Sequence, residues 1–156
     1  MKNLKIVMIL ILAIGITFCT DGQMRRTVYG NNKVVKEKRE AGQFTALRVS
    51  SGIDVYLTQG DRESIEVEAD ENLHEYILTD IRNGVLHVYT EVNIREAEEK
   101  RVYVTMKDIE SLSTSSAGDI IGQTPVKSDR LELSVSSAGD IKLEIQVKEI
   151  KAGVSS

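Results

Sequence analysis

A repeated unit in the second half of the chain constrains its fold more than any other sequence feature. The segment Leu-Ser-Thr-Ser-Ser-Ala-Gly-Asp-Ile at 112–120 returns 21 residues later, at 133–141, as Leu-Ser-Val-Ser-Ser-Ala-Gly-Asp-Ile. A third copy begins at Ile150 and places Val154 at an offset of 19 from Val135, and a degenerate copy lies at 49–54. Copies about 20 residues apart, made of short alternating strands and glycine turns, are typical of stacked β-coils. The repeat therefore predicts an all-β solenoid.

Stacking of the copies would create the hydrophobic core, because one coil alone is too small to bury its apolar face. The offsets align Leu112 with Leu133 and Ala152, and Ile120 with Ile141. Burial of a Leu or Ile side chain contributes roughly 1.5–3 kcal/mol, so a few aligned positions per coil could hold the stack. Leucine-rich repeats are excluded because serine occupies their Asn or Cys ladder position and 143–147 alternates as a strand.

Residues 1–19 have the pattern of a secretory signal peptide. A positive region at Lys2 and Lys5 precedes an apolar run, 6–18, that is shorter than the about 20 residues of a membrane span. Cys19, the single cysteine, stands where the run ends, which suits the lipid-modified first residue of a bacterial lipoprotein. An ordinary leader cleaved among residues 17–23 is the other reading, and both predict export.

Composition supports a packed, exported domain. The chain of 156 residues is 41% hydrophobic, enough for a core, and its 24 acidic against 20 basic residues argue against a nucleic-acid binder. One cysteine excludes a disulfide framework. We expect a polar tether at 20–42 and the β-domain at 43–156, with a helical turn at 70–78 capped by Asp70 and a hairpin turn at Asn83-Gly84. Because the third copy stops at Ser156, we expect the domain to be incomplete at its C-terminus.

The repeated acidic corner is the strongest candidate for chemistry. Asp119 and Asp140 would lie one coil apart, about 4.8 Å, where they could share a cation such as calcium. The favoured alternative is structural: Gly118 and Gly139 supply positive φ angles and the aspartates accept turn amides. Repetition favours the structural reading, because catalytic groups are normally unique whereas turn chemistry recurs. We therefore assign no catalytic residue, no cofactor and no firm metal ligand.

Other reactive side chains lack a catalytic context. The corner serines have no nucleophile-elbow motif and no assignable base, and we expect them to form a hydroxyl ladder; they are Ser115, Ser116, Ser136 and Ser137. His74 and His87, the two histidines, lack the spacing of a zinc site, and His87 is expected on a half-exposed strand. The tyrosines are scattered along the sequence and could contribute to a sugar-stacking surface; they include Tyr56, Tyr76, Tyr89 and Tyr103.

The segment 44–61, Phe-Thr-Ala-Leu-Arg-Val-Ser-Ser-Gly-Ile-Asp-Val-Tyr-Leu-Thr-Gln-Gly-Asp, resembles the opening of the DUF2807 family, the auto-transporter adhesin head GIN domain. Gly52-Ile53-Asp54 stands at the family's Gly-Ile-Asn-like signature, with Asp in the third place. The segments 67–73 and 83–86 and the Ser-x-Gly-Asp-Ile corners are also similar, so the resemblance covers roughly 30–156. It implies a secreted, right-handed, single-stranded β-helix-like fold of a kind found largely in Bacteroidetes-type bacteria.

These observations lead to a functional expectation. The exported leader, the repeated coils and the lack of a unique polar constellation favour a non-catalytic adhesion or binding module of the cell envelope. Its partner would be an extracellular or envelope protein or glycan, with membrane contact only through a lipid on Cys19. Two alternatives remain open: a polysaccharide-active β-helix enzyme, and a structural or polymerising envelope component.

Overall fold

The protein is an all-β chain in a computed structural model that describes residues 25–155. The predicted leader and Cys19 lie outside the described residues. Fourteen strands and a 3-10 helix, Glu71–Leu73, make up the described part. The strands are β1 Thr27–Tyr29, β2 Val34–Arg39, β3 Ala46–Val49, β4 Asp54–Gln59, β5 Ser64–Asp70, β6 Leu78–Arg82, β7 Val85–Tyr89, β8 Asn93–Arg95, β9 Lys100–Met106, β10 Ser111–Thr114, β11 Asp119–Gly122, β12 Val126–Ser136, β13 Asp140–Lys142 and β14 Ile145–Ser155.

Two six-stranded sheets and one two-stranded sheet organise these strands. The first large sheet has the order β14-β12-β10-β3-β7-β6, the second has the order β13-β11-β4-β9-β5-β2, and β1 pairs with β8. One buried cluster takes its side chains from both large sheets, so their inner faces share a core. Among residues 25–155, no helix has the length and apolar character that crossing a bilayer requires.

The sequence copies lie on neighbouring parallel strands, in the predicted register. Leu112 pairs with Leu133 across β10 and β12, and Leu133 pairs with Ala152 across β12 and β14. Ile120 pairs with Ile141 across β11 and β13. The degenerate copy at 49–54 joins the same stacks, because β3 and β4 pair in parallel with β10 and β11. The alignment inferred from the offsets is confirmed.

In the chain between the degenerate copy and the copy at 112–120, two pairs of strands are antiparallel, β5 with β9 and β6 with β7. Asn83 and Gly84 have φ angles of 52° and 75° and connect β6 to its antiparallel partner β7, which confirms the predicted hairpin turn. The predicted helical turn at 70–78 is only a 3-10 turn, and Asp70 does not cap it with its side chain. The Asp70 carboxylate instead accepts backbone N–H groups from Asn32, at 2.8 Å, and from the loop at 98–99, at 3.0 and 3.1 Å.

The segment predicted to be a polar tether differs from that expectation. Its described part contains β1 and β2, and β2 pairs antiparallel with β5 at the edge of the second large sheet. Nearly every residue of β2 is exposed, so its pattern carries no buried alternation that a sequence would reveal. Backbone pairing and cross-strand charges hold it instead, with Lys36 Nζ at 3.5 Å from Glu66 and 3.8 Å from Glu68.

Candidate functional site

The repeated corners are turns in which two successive residues adopt positive φ. The pairs are Ser51 and Gly52, Ser116 and Ala117, and Ser137 and Ala138, all with φ between 50° and 65°. The backbone ladder continues through them, because the Gly52 N–H donates to the Ser116 carbonyl at 3.0 Å and the Ala117 N–H donates to the Ser137 carbonyl at 3.1 Å. Neighbouring corners are therefore joined by backbone hydrogen bonds, as the strands on either side are.

The expectation that Gly118 and Gly139 supply the positive φ is wrong, since neither residue has one. Both glycines are needed for close packing instead. A Cβ on Gly139 would lie 2.7 Å from Thr114 Oγ1 and 2.9 Å from the Gly118 carbonyl oxygen. A Cβ on Gly118 would lie 3.0 Å from a methyl carbon of Val49. Left-handed strain, roughly 1 kcal/mol per non-glycine residue, falls on the serine and alanine that precede each glycine.

The predicted pair of aspartates forms part of a longer row on the outer face of the second sheet. Asp119 pairs in register with Asp140 on one side and with Asp54 on the other. Asp119 Oδ1 accepts the N–H of Asp140 at 3.1 Å, and Asp140 Oδ2 lies 3.7 Å from Lys142 Nζ. Among residues 25–155, no group of three or more His, Cys, Asp or Glu side chains is arranged to hold a metal ion. Asp119 thus accepts a main-chain amide at the corner, and a cation at Asp119 and Asp140 stays a prediction.

The corner serines differ in exposure. Ser116 and Ser137 are exposed at the turns, whereas Ser115 and Ser136 are half-buried beside them. The serine of the degenerate copy, Ser51, donates its hydroxyl to the Thr90 carbonyl at 3.1 Å, a structural bond that links the corner to the end of β7.

His74 is a buried residue just after the 3-10 helix, and its role is structural. Its side chain is almost fully buried, with Nε2 at 3.2 Å from the carbonyl oxygens of Val35 and Ala69. Nδ1 lies 3.2 Å from the Glu37 carboxylate, and Arg39 donates to the His74 carbonyl at 2.9 Å. His74 therefore joins the exposed strand β2 to the segment after β5.

His87 occupies a half-buried position in β7, as predicted for a half-exposed strand residue. It pairs with Arg48 on β3 and with Asp80 on β6. Partial burial, and then the positive charges of Arg48 and Arg82, lower the pKa of His87 below its ordinary value. In the same patch the Tyr89 hydroxyl donates to Asp80 at 2.8 Å, and this bond holds the Asp80 pKa below its usual range.

Two tyrosines that are distant in the sequence meet on the outer face of the second sheet. Tyr56 and Tyr103 pair across β4 and β9, and their rings stack with centroids 5.3 Å apart. The Tyr103 hydroxyl donates to Glu68 at 2.7 Å, which raises the pKa of the phenol, and Lys36 Nζ lies 4.8 Å from the Tyr103 ring centroid. The two tyrosines are 47 positions apart in the sequence, and nothing in their spacing indicates that β4 and β9 are neighbours.

Parallel strand pairs, corners joined by backbone hydrogen bonds and a row of aspartates in register define an all-β protein. Residues 43–156 match the family described as "DUF2807: Putative auto-transporter adhesin, head GIN domain". The chain belongs to this family, which confirms the resemblance found in the sequence. No match was found among curated proteins.

Solved structures share the fold. A "putative adhesin" from Parabacteroides merdae is 26% identical, with a TM-score of 0.74 over 83% of this chain and 55% of that one. A second "putative adhesin", from Parabacteroides distasonis, is 20% identical, with a TM-score of 0.76 over 83% and 56%. A "putative lipid binding protein" from the same species is 18% identical, with a TM-score of 0.67 over 83% and 65%. The chain thus spans just over half the length of the two adhesin structures.

Proposed function

We propose that the protein is a non-catalytic binding module of the adhesion type, exported to the cell envelope or cell surface, with a right-handed, single-stranded β-helix-like fold. One observation carries this proposal: polar groups recur in register from coil to coil instead of converging on one centre. Asp54, Asp119 and Asp140 form such a row, and the corner turns form another. A repetitive outer surface suits multipoint contact with an extended partner, whereas catalysis needs a unique acid and base at one place.

Membership of an adhesin-type family and likeness to proteins described as adhesins support the same proposal. A polysaccharide-cleaving enzyme would need an acid/base pair facing a substrate groove. Asp119 and Asp140 instead lie on an outer sheet face, one bound to a main-chain amide and the other beside Lys142.

Binding to immobilised extracellular-matrix proteins and to a glycan array tests the proposal. The full mature chain should give saturable binding to at least one of these surfaces, and the same protein unfolded by heat should lose it. Failure of the folded protein to bind any of the immobilised partners would overturn the adhesion function.

Export is the second part of the proposal, and it rests on the leader at 1–19. Expression in a bacterial host with an alkyne-labelled fatty acid distinguishes the two readings of Cys19. A lipoprotein would take up the label and lose it in the Cys19→Ala variant, whereas an ordinary leader would give an unlabelled chain that starts among residues 17–23. A chain that keeps residues 1–19 in the cytoplasm would contradict export.

A further inference from the structure

A cleft of about 650 Å³ lies where the small β1–β8 sheet meets the stacked corners. One wall is formed by the corner residues Ser51, Gly52 and Ser116, which belong to two successive coils. Other lining residues come from the small sheet and the chain around it, including Thr27 of β1 and Asn93 of β8. Its volume falls within the usual range of about 300–1,000 Å³ for small-ligand sites.

The charge of this cleft has the opposite sign to the charge of the whole chain. Arg25 and Lys100 line it, and none of its lining residues is acidic, although the chain has a formal charge of −4. Lys100 Nζ lies close to the bare backbone of Gly52, 3.4 Å from where a Cβ would stand. A concave surface lined by cations attracts anions more strongly than a flat one, because the low-dielectric walls focus the field.

Both cations are available to a ligand. The acidic neighbour of Lys100, Glu99, is paired with Arg101 at 2.8 Å. Within residues 25–155, neither Lys100 nor Arg25 has a carboxylate within 4.0 Å. The positive charge in the cleft is therefore not neutralised by the described part of the chain.

The remaining lining of the cleft combines polar and apolar surface in similar amounts. Thr27, Asn93 and Ser116 supply hydroxyl and amide groups, and Val92 and Ile94 supply two aliphatic side chains. The Ser51 hydroxyl already donates to the Thr90 carbonyl, so its oxygen remains an acceptor. Hydrogen-bonding groups beside two short aliphatic side chains match a sugar ring, which has both hydroxyl groups and C–H faces, whereas a lipid tail would need a longer apolar channel.

We propose that this cleft binds an acidic saccharide, with Lys100 and Arg25 holding a carboxylate or sulfate and the corner serines facing the sugar hydroxyls. The inference rests on the proposed binding function and names the class of ligand for it. Because Ser51 and Ser116 come from stacked corners, the repeat provides one wall of the site, and the non-repeated segments around β1 and β8 and at the start of β9 provide the cations.

Titration calorimetry of the full mature chain with three related sugars tests the proposal. 3′-Sialyllactose carries a carboxylate, 3′-sulfolactose carries a sulfate, and lactose is the neutral control. At least one acidic sugar should bind about tenfold more tightly than lactose, since a charge-assisted hydrogen bond is worth roughly that factor. Equal binding of all three sugars, or binding of none, would overturn the proposal.

Matched variants assign the binding to this cleft. Lys100→Gln and Arg25→Gln should each weaken the acidic sugar about tenfold without a change in thermal unfolding temperature. Lys38→Gln removes the same charge from an exposed strand position outside the cleft and should leave affinity unchanged. Equal affinities of Lys100→Gln and Lys38→Gln would refute the site.

Two further measurements distinguish saccharide binding in the cleft from lipid binding and from the general adhesion function. Vesicles of phosphatidylglycerol test an anionic lipid, and binding of the vesicles but of no acidic sugar would contradict the saccharide assignment. If the full chain binds an immobilised partner and Lys100→Gln binds it equally well, the cleft assignment fails while the adhesion function stands. If the folded chain binds nothing, both proposals fail.

Discussion

The middle and the end of the stacked sheet use similar sequences with very different burial. At one inward position, Leu47 and Leu112 are 1% and 0% exposed, Leu133 is half-buried, and Ala152 is exposed. These residues stand in register on β3, β10, β12 and β14. Inward direction alone therefore does not bury a side chain. A position needs neighbouring strands on both sides and an opposing sheet, and β14 has a described neighbour on one side only.

The next inward position shows the same gradient more sharply. Val49 and Thr114 are 0% and 1% exposed, whereas Val154 is 84% exposed at the corresponding place in β14. Hydrophobic stabilisation scales with the apolar area removed from water, so similar units contribute unequal free energies along the stack. The stability of each unit in such a stack depends on whether it has a neighbouring unit on both sides or on one side only.

The largest test of this comparison removes the same leucine from two copies of the unit. Leu112→Ala should lower the free energy of unfolding by about 3–4 kcal/mol, because Leu112 is fully buried and its removal leaves a cavity in the core. Leu133→Ala should cost about 1–2 kcal/mol, since its side chain is half-buried and the site can relax. Urea unfolding of both variants measures the difference, and equal costs would break the comparison.

Glycine substitutions give a second, smaller contrast. Gly139→Ala should cost about 1–3 kcal/mol, because the new methyl would overlap Thr114 and the Gly118 carbonyl oxygen. Gly153→Ala in β14 is the matched control, since a Cβ there has no atom of residues 25–155 within 4 Å, apart from those of its chain neighbours. It should change stability by less than about 0.5 kcal/mol. Thermal unfolding of the two variants decides this, and a neutral Gly139→Ala would refute the close-packing role.

The register of the paired strands was predictable from the sequence because the repeat offset and the strand alternation determine it together. The offsets alone align Leu112 with Leu133 and Ala152, and Asn83-Gly84 indicates its hairpin through its tolerance of positive φ. The corner conformation was not predictable in detail. A glycine in a turn can serve either backbone freedom or close approach, and only the positions of Thr114 and Val49 reveal the second role.

Strand β2, the Tyr56–Tyr103 pair and the cleft at Gly52 were less predictable, because each joins segments that share no sequence pattern. Strand β2 is exposed and charged, so it lacks the alternation that reveals half-buried strands. Tyr56 meets Tyr103 only because β9 lies beside β4, with the β5–β8 segments inserted between them in the chain. Lys100 likewise reaches the corner at Gly52 through that arrangement, and no motif around either residue predicts it.

The smallest expected effect compares the two ends of the first large sheet. At the β6–β7 end, half-buried His87 lies beside Arg48, whereas at the β14 end Lys151 pairs with Glu132 on an exposed surface, 2.9 Å apart. Arg48→Gln removes one of the charges that lower the His87 pKa, so that pKa should rise toward its ordinary value. Lys151→Gln is the control and should leave the His87 pKa unchanged, because the two ends are separated by several strands and exposed charges are screened by salt.

The sign of the effect on stability follows from linkage. A lowered His87 pKa means that the folded chain binds fewer protons than the unfolded chain in this pH range. The stability that depends on neutral His87 is therefore fully present above about pH 6.5, and it is lost as the pH falls toward the pKa of the folded state. Arg48→Gln should therefore lose less stability than the parent between pH 7 and pH 5. NMR titration of the His87 ring protons, with urea unfolding at both pH values, measures the two quantities. If Arg48→Gln and Lys151→Gln shift the pKa of His87 equally, the distance along the sheet does not determine how strongly a charged residue affects that pKa.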